Sequence, residues 1–306
     1  MKLVYRLFLL FAALALAQFS LAQTRSIGIN TKLIEDITGV AGTVNAEERV
    51  FKITYPRTDV PVTIDGWKMK PFMGLTSWAA FRKGVEKESI VMGDLVLFED
   101  EVNPVMSIVL ENGLSVTALH NHFFYDQPRV YFMHIGGEGS VEALSQGVRK
   151  TQDGIKTLRL ANPIPAKGFP GQPIPDTNTI DGKEIEQTLG YPGQSNNGMF
   201  KVVIGRRTTM PCGCDATKEM GVNTWAAFAG SNENAFVDGD FAVLESELQP
   251  VLRSLRATNI NVVAIHNHMT DEKPRILFIH YWGKGPVSQL AKSLKEYGQQ
   301  ANRFNS

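Results

Sequence analysis

The chain contains the same long pattern twice. Residues 76–81, Thr-Ser-Trp-Ala-Ala-Phe, return at 223–228 as Asn-Thr-Trp-Ala-Ala-Phe. Residues 118–122, Ala-Leu-His-Asn-His, return at 264–268 as Ala-Ile-His-Asn-His, and a Pro-Arg pair and a third histidine follow at the same intervals in both copies. A repeat of this length predicts two homologous domains, each near the common domain size.

The boundaries of these domains follow from a proline-rich segment between the copies. Five prolines lie between residues 162 and 175, namely Pro163, Pro165, Pro170, Pro173 and Pro175. Such a segment is extended and semi-rigid, so it could also wrap over one domain. We therefore predict a first repeat domain over residues 23–158, a Pro/Gly-rich linker over 159–179 and a second repeat domain over 180–306.

The first 22 residues are predicted to be a signal peptide. Positive charges at Lys2 and Arg6 precede an apolar run over residues 7–17, and small residues precede Gln23, which is the order of a secretory signal. The run is shorter than the roughly 20 residues that a membrane-spanning helix needs, and no later stretch is long or uncharged enough. We expect a periplasmic or secreted protein, cleaved near Ala22, with no membrane span.

Charge excludes one class of partner. The chain has 31 Lys and Arg residues against 31 Asp and Glu residues, and removal of the signal peptide leaves it nearly neutral. Nucleic-acid binding depends mainly on a basic surface that neutralises phosphates. We therefore expect no nucleic-acid partner, and a metal ion or small molecule as the ligand.

The order of elements within each copy predicts an α+β fold. The first copy is predicted to contain strands over 78–81 and 92–98, a helix over 103–111, strands over 115–123 and 129–135, and a helix over 140–150. The first helix is predicted from Asn103 as its cap and Pro104 at its first position. This order indicates two tandem domains, each a mainly antiparallel sheet with helices packed on it, of the split β-α-β kind.

Three histidines in each copy are predicted to converge. His120 and His122 share a face of one strand because residues two apart on a strand point the same way. If the next strand folds back around Gln127, His134 lies directly opposite His120, with the two Cβ atoms about 4.5–5.5 Å apart. A slip of one residue would move His134 to the other face. The second copy is predicted to place its histidines likewise around Lys273: His266, His268 and His280.

His-x-His on one strand with a histidine from its neighbour is typical of three-histidine zinc sites. We predict one metal site per repeat, with zinc or copper as the ion because imidazole binds both. Satisfied structural histidines are the alternative at the level of the residues. At the level of function, one alternative is a hydrolase that uses a zinc-bound water. Another is a non-metal module in which Trp78 or Trp225 helps to line a sugar or peptide pocket.

Polar residues next to the histidines have more than one interpretation. Asp126 and Glu272 could each be a fourth ligand, a support for a ligand, a general base or a solvated turn residue. Arg129 and Arg275 could bind an anionic substrate or form ion pairs with these turn carboxylates. A further set of acids, kept in both copies, is predicted to mark strand starts and ends rather than catalysis: Asp94, Asp240, Glu99 and Glu245.

Two better-known motifs are less suitable. HNH nucleases carry their name residues dispersed over a metal-binding unit, not as a contiguous His-Asn-His. Cupins combine His-x-His with a nearby acid, as His120, His122 and Asp126 do, but their last histidine lies much further along the chain. The predicted helices also do not suit a cupin jelly roll, which we keep only as a minority interpretation.

The chain has 2 cysteines, Cys212 and Cys214, separated by Gly213. A disulfide between residues two apart would close a small, strained ring. The pair could equally be free thiols or metal ligands, and the first repeat has no counterpart.

The motifs quoted above resemble those of the LppY/LpqO lipoprotein family, a domain of unknown function found in exported bacterial proteins and often duplicated in one chain. The resemblance rests on Trp-Ala-Ala-Phe at 78–81, Gly-Asp-Leu-Val-Leu at 93–97 and Ala-Leu-His-Asn-His at 118–122 with its downstream Pro-Arg and His. It covers nearly the whole mature chain and implies export and a double domain, but no reaction. A lipoprotein needs a cysteine at the cleavage site, where this chain has Gln23, so we expect no lipid anchor.

Overall fold

The computed structural model describes residues 27–301, with side chains up to residue 295. The predicted signal peptide lies outside the described residues. Within them, no helix has the length and apolar character needed to cross a bilayer. The fold is α+β, as predicted, and the two repeats lie side by side in one 12-stranded antiparallel sheet.

The first repeat contains α1 (Thr31–Thr38), β1 (Thr43–Asn45), β2 (Val50–Pro56), β3 (Thr63–Ile64), β4 (Trp67–Lys68), β5 (Thr76–Lys83), β6 (Ser89–Phe98), α2 (Glu99–Glu111), β7 (Ser115–His120), β8 (Asp126–Gln127), β9 (Val130–Gly139) and α3 (Val141–Ala161). The second repeat contains α4 (Gly182–Leu189), β10 (Gly193–Asn196), β11 (Met199–Gly205), β12 (Thr208–Thr209), β13 (Asp215–Ala216), β14 (Asn223–Gly230), β15 (Ala235–Leu244), α5 (Leu248–Ala257), β16 (Asn261–His266), β17 (Ile276–Gly285) and α6 (Val287–Ala301).

The strand order shows how the repeats combine. The large sheet runs β1-β2-β5-β6-β9-β7 through the first repeat and β16-β17-β15-β14-β11-β10 through the second. Since β6 and β7 are both antiparallel to β9, they run parallel to each other and are connected by α2. This is the split β-α-β arrangement, and the second repeat has it in β15, α5, β16 and β17.

The two faces of the sheet carry different layers, because side chains alternate along each strand. On β6, Leu95 and Leu97 belong to the large core beneath the helices, whereas Val96 and Phe98 point to a smaller cluster on the opposite face. That smaller cluster also includes residues of the segment between β2 and β5, such as Val62 and Leu75.

Helix α2 begins at Glu99, so the predicted start at Asn103 is wrong. The carboxylate of Glu101 accepts a hydrogen bond of 2.9 Å from the Phe98 N–H and satisfies a donor at the helix start. Glu101 is fully buried and also pairs with Arg57, which anchors this first turn. Pro104 consequently lies inside the helix. Helix α3 also continues beyond the predicted end at residue 150, to Ala161.

Asn103 serves instead as a link between the repeats. Its side chain accepts from the Val262 N–H at 2.8 Å and donates to the Val262 carbonyl at 3.2 Å. Gln249, its counterpart in the second repeat, makes the same pair of bonds to Val116 at 3.1 and 2.7 Å. These two amide side chains, with the antiparallel pairing of β7 and β16, join the repeats.

Candidate metal centre

The strands that carry the histidines differ in register from the prediction. His134 pairs with Ala118, and His120 pairs with Phe132, so His134 does not lie directly opposite His120. The predicted register is wrong by two positions. A shift of two positions leaves His134 on the same face of the sheet as His120. In the second repeat His280 pairs with Ala264 in the same way.

The register shift has a local cause. The connection between β7 and β9 is not a tight turn at Gln127, because Asp126 and Gln127 form β8 and pair with β3 instead. A bulge between Val116 and Ala118 changes the register of β7 a second time, upstream of the histidines. His122 therefore lies beyond the end of β7 rather than on it.

In the second repeat, three imidazoles meet one carboxylate. The Nε2 atoms of His266 and His268 lie 3.2 Å apart. The Asp240 Oδ2 atom lies 3.8 Å from the Nε2 of His266, 3.5 Å from that of His268 and 3.9 Å from that of His280. Asp240, His266 and His268 form a group with the spacing of metal ligands.

Backbone carbonyls and an aromatic ring set the orientation of these imidazoles. The Nδ1 of His268 lies 3.2 Å from the Gly221 carbonyl oxygen, and the Nδ1 of His280 lies 3.2 Å from that of Gly239. When Nδ1–H donates to a carbonyl, Nε2 is left with its lone pair, as a metal ligand requires. The ring of His268 also stacks on that of buried Phe278 at 3.4 Å between centroids.

Like its counterpart Asp94, Asp240 does not mark the start of a strand, so the prediction from its sequence context is wrong. It lies within β15, directly opposite Trp225 on one side and His280 on the other. Its side chain is 3% exposed, and its Oδ1 atom has no hydrogen-bond partner. Burial raises the pKa of this carboxyl, while His280 and His268 lower it in part.

His266 is held in its neutral form. Burial, together with the charges of His280 and His268, lowers its pKa to about 4. Its Nδ1 is buried and has no hydrogen-bond partner. At neutral pH this imidazole is therefore available as a ligand without losing a proton first.

The first repeat has a similar cluster of imidazoles. The Nε2 atoms of His120 and His122 lie 3.2 Å apart, and the rings of His120 and His134 stack at 5.2 Å. The ring of His122 stacks on Phe132 at 3.3 Å. Asp94 is the counterpart of Asp240. Burial raises its pKa, and the charges of the three histidines lower it in part. Burial also lowers the pKa of His120 and His122.

Asp126 and Glu272 stabilise the loops rather than lying in solvent. Both are buried. Asp126 Oδ2 accepts from the Val130 N–H at 2.6 Å, and Glu272 Oε1 accepts from the Ile276 N–H at 3.0 Å. Each carboxylate thus fixes the start of the strand that carries the third histidine. Among the carboxylates, the structure brings Asp94 and Asp240 to the histidines.

The two arginines lie at the surface. Arg129 is 3.6 Å from Glu99, and Arg275 is 3.7 Å from Glu245, with all four side chains substantially exposed. The structure does pair each arginine with an acid, but the acid stands at the end of β6 or β15 and is not the turn carboxylate.

A tryptophan in each repeat lies beside the carboxylate. Trp78 is directly opposite Asp94, as Trp225 is opposite Asp240. The indole of Trp225 lies 6.3 Å from the ring of His280, and the ammonium group of Lys201 lies 4.2 Å above that indole. Trp78 and Trp225, the aromatic residues predicted to line a sugar or peptide pocket, therefore lie next to the histidine clusters.

The two clusters are separate. Leu119 and Ile265 are paired across the repeats and point into the large core, so His120 and His266 both point to the opposite face. Each cluster is centred on β9 or β17, and β7 and β16 lie between these strands. Three strand spacings of about 4.8 Å place the clusters roughly 15 Å apart.

Comparison with known proteins gives a family. A model described as Domain of Unknown Function (DUF1259) matches residues 32–154 and 183–299. None of the curated proteins matches the chain. The trimeric bacterial microcompartment shell protein PduB is similar at a TM-score of 0.18 and 11% identity, over 86% of this chain and 93% of that one. The di-domain ARO/CYC StfQ from the steffimycin biosynthetic pathway is similar at a TM-score of 0.13 and 7% identity, over 91% of each chain. Both TM-scores are too low to carry an argument.

Proposed function

The chain belongs to the family described as Domain of Unknown Function (DUF1259), and we propose that it binds a divalent metal ion, zinc or copper. Each repeat would hold one ion at its three-histidine site. The ligands in the second repeat are His266, His268, His280 and Asp240. Those in the first are His120, His122, His134 and Asp94.

The buried carboxylate of Asp240 supports this proposal most directly. In the part of the chain that the structure describes, the cationic groups within ion-pair distance of Asp240 are all histidines. His266 is neutral near pH 7. A buried charge without compensation costs several kcal/mol. A divalent cation among the Nε2 atoms would supply that compensation.

The distances agree with such an ion. Two nitrogens that each lie about 2.0–2.1 Å from a tetrahedral zinc are about 3.3 Å apart. The Nε2 atoms of the His-x-His pairs lie 3.2 Å apart in both repeats. The carboxylate oxygen of Asp240 is slightly further away, at 3.5–3.9 Å.

The ligand count favours binding over hydrolysis. Three imidazoles and one carboxylate would fill a tetrahedral shell, whereas catalytic zinc sites keep one position open for water. The hydrolase alternative needs a base, and its predicted bases, Asp126 and Glu272, are engaged by backbone N–H groups. An ion-holding role is therefore the better account of this geometry.

We also propose that the protein works outside the cytoplasm. The order of charges and apolar residues over 1–22 supports export. The histidine motif supports a relationship with the LppY/LpqO lipoproteins.

The metal content of the purified protein tests the proposal. Protein prepared without an affinity tag and loaded with Zn²⁺ or Cu²⁺ should hold one ion per repeat, as measured by plasma mass spectrometry. The variant His266→Ala/His268→Ala should hold half as much. Asn267→Ala is the matched control, since this exposed residue lies between the two histidines. The proposal is wrong if the wild type holds no metal or if the double variant holds as much as the wild type.

Asp240→Asn tests the carboxylate separately. The amide keeps the size but removes the charge, so we expect the second site to bind zinc at least about tenfold more weakly, the loss found even for outer partners of a metal site. Competition with a chromophoric chelator measures the affinity. Glu233→Gln, at an exposed position shortly before β15, should leave it unchanged. Equal affinities of the wild type and Asp240→Asn would remove Asp240 from the ligand set.

A further inference from the structure

The two cysteines lie in a tight hairpin between β12 and β13. The Gly213 N–H donates to the Met210 carbonyl at 2.8 Å, and the Met210 N–H donates to the Cys214 carbonyl at 2.9 Å. Gly213 has φ +79° and is therefore in the left-handed region that closes such turns. These bonds fix the backbone on both sides of Cys212 and Cys214.

The thiols are free, exposed and next to each other. The Cys214 thiol lies 3.9 Å from the Cys212 carbonyl oxygen. A hydrogen bond from the side chain of Cys214 lowers the pKa of Cys212. The two thiols thus lie two residues apart in one tight turn, with the Cys214 sulfur turned back toward the Cys212 backbone.

The hairpin is hydrogen-bonded to the loop of the second histidine cluster. Thr209 and Lys273 exchange backbone hydrogen bonds of 3.1 and 2.9 Å, and the Thr208 hydroxyl donates to the Pro274 carbonyl at 2.7 Å. That loop connects His268 to His280. In the first repeat, the equivalent position is the β3–β4 hairpin, whose Asp65-Gly66 turn carries no cysteine. The thiol pair thus occurs in the second repeat and has no counterpart in the first.

We propose that Cys212 and Cys214 form a separate metal site that binds a soft monovalent ion, Cu(I), through both sulfur atoms. Thiolates are the ligands that select Cu(I), and the thiolate rather than the thiol is the binding form. Two S–H bonds break and two S–Cu bonds form, both protons go to solvent, and no electron is transferred. The ion needs few ligands, which suits a hairpin that offers two.

The rigid turn explains why this pair would bind well. Because backbone hydrogen bonds already fix the turn that carries both cysteines, little backbone freedom is lost on binding. Oxidation of the same pair would give a disulfide in a small, strained ring. Such a disulfide has no thiolate to offer, so the reduced state is the one that binds.

Cu(I) itself is the probe for the experiment. The reduced protein is titrated with Cu(I) under anaerobic conditions in competition with bicinchoninate. The wild type should retain one equivalent of Cu(I) more than Cys212→Ser/Cys214→Ser. Each single serine variant should lose as much as the double variant, because one thiolate cannot chelate. Equal retention by the wild type and the double variant overturns the proposal.

A thiol count provides a second, independent measurement. Two thiols per reduced chain should react with Ellman's reagent, and both should be protected by one equivalent of Cu(I). Thiols that stay reactive in the presence of Cu(I) would also overturn the proposal. Since both cysteines are exposed, circular dichroism should show that the serine variants keep the wild-type fold.

The histidine sites can fail without affecting this result. His266→Ala/His268→Ala should still hold the additional Cu(I) that the cysteine variant loses. If that histidine variant retains all of its divalent metal, the proposed function is wrong, while the difference between the wild type and the cysteine variant still decides the thiol site.

Discussion

At His266, burial and two neighbouring imidazoles lower the pKa from 6.5 to about 4. The unfolded chain therefore binds a proton at this residue between pH 6.5 and about 4, whereas the folded protein does not. Stability rises with pH wherever the unfolded state binds more protons. The contribution of His266 is thus complete above pH 6.5 and is lost as the pH falls toward about 4.

This shift predicts a pH effect on the metal-free protein. With a chelator present, the free energy of unfolding of the wild type should fall more steeply between pH 7 and pH 4.5 than that of His266→Gln, which has no group to protonate. Urea denaturation at several pH values measures both slopes. Identical slopes would mean that His266 is not held neutral by the fold.

At the scale of residues, the histidine clusters can be predicted from the sequence, whereas the role of Asp240 cannot. The histidines can be predicted because His-x-His is a local sequence pattern. The position of Asp240 beside the histidines cannot be predicted in this way, although Gly-Asp occurs in both copies at Gly93-Asp94 and Gly239-Asp240. It depends on β15 pairing with β17. That pairing joins residues far apart in the chain.

At the scale of elements, α2 and α5 each extend an amide to a strand of the other repeat. Asn103 satisfies both backbone groups of Val262, and Gln249 does so for Val116. Both strand residues adjoin a bulge, where ladder bonding is interrupted. The side chains thus replace bonds that the sheet does not make there.

Removal of one such amide should weaken the fold. Asn103 is buried, and Asn103→Ala leaves the N–H and carbonyl of Val262 without these partners. We expect the free energy of unfolding to fall by about 1–3 kcal/mol. Urea denaturation monitored by tryptophan fluorescence measures the change. Gln146→Ala, an exposed amide on α3, is the control and should change stability by less than about 0.5 kcal/mol. A similarly small change for Asn103→Ala would show that the link contributes no stability.

At the scale of the whole molecule, the sheet carries two similar clusters on one face, roughly 15 Å apart by strand spacing. Sites more than about 7–10 Å apart that share no partners usually behave independently. The clusters use different strands and different carboxylates. The duplication therefore places two separate histidine clusters in one sheet.

Independence predicts a specific titration. Removal of the first site by His120→Ala/His122→Ala should change the zinc affinity of the second site by less than about twofold. Isothermal titration calorimetry of this variant, of the wild type and of the control Asn121→Ala measures this. A tenfold change would instead show that the joined strands β7 and β16 couple the two sites.

The amino-acid sequence alone determined the duplication, the α+β class and the three-histidine spacing. The duplication is a repeat of the sequence itself, the α+β class follows from the order of the predicted elements, and the histidine spacing is a short motif. None of these requires knowledge of which strands pair. The tertiary structure decided the register of His134, the start of α2 and the carboxylate that completes each cluster. It also decided that both clusters share one face. These features depend on which strands pair and on which groups burial leaves without water, and such long-range contacts have no local signature.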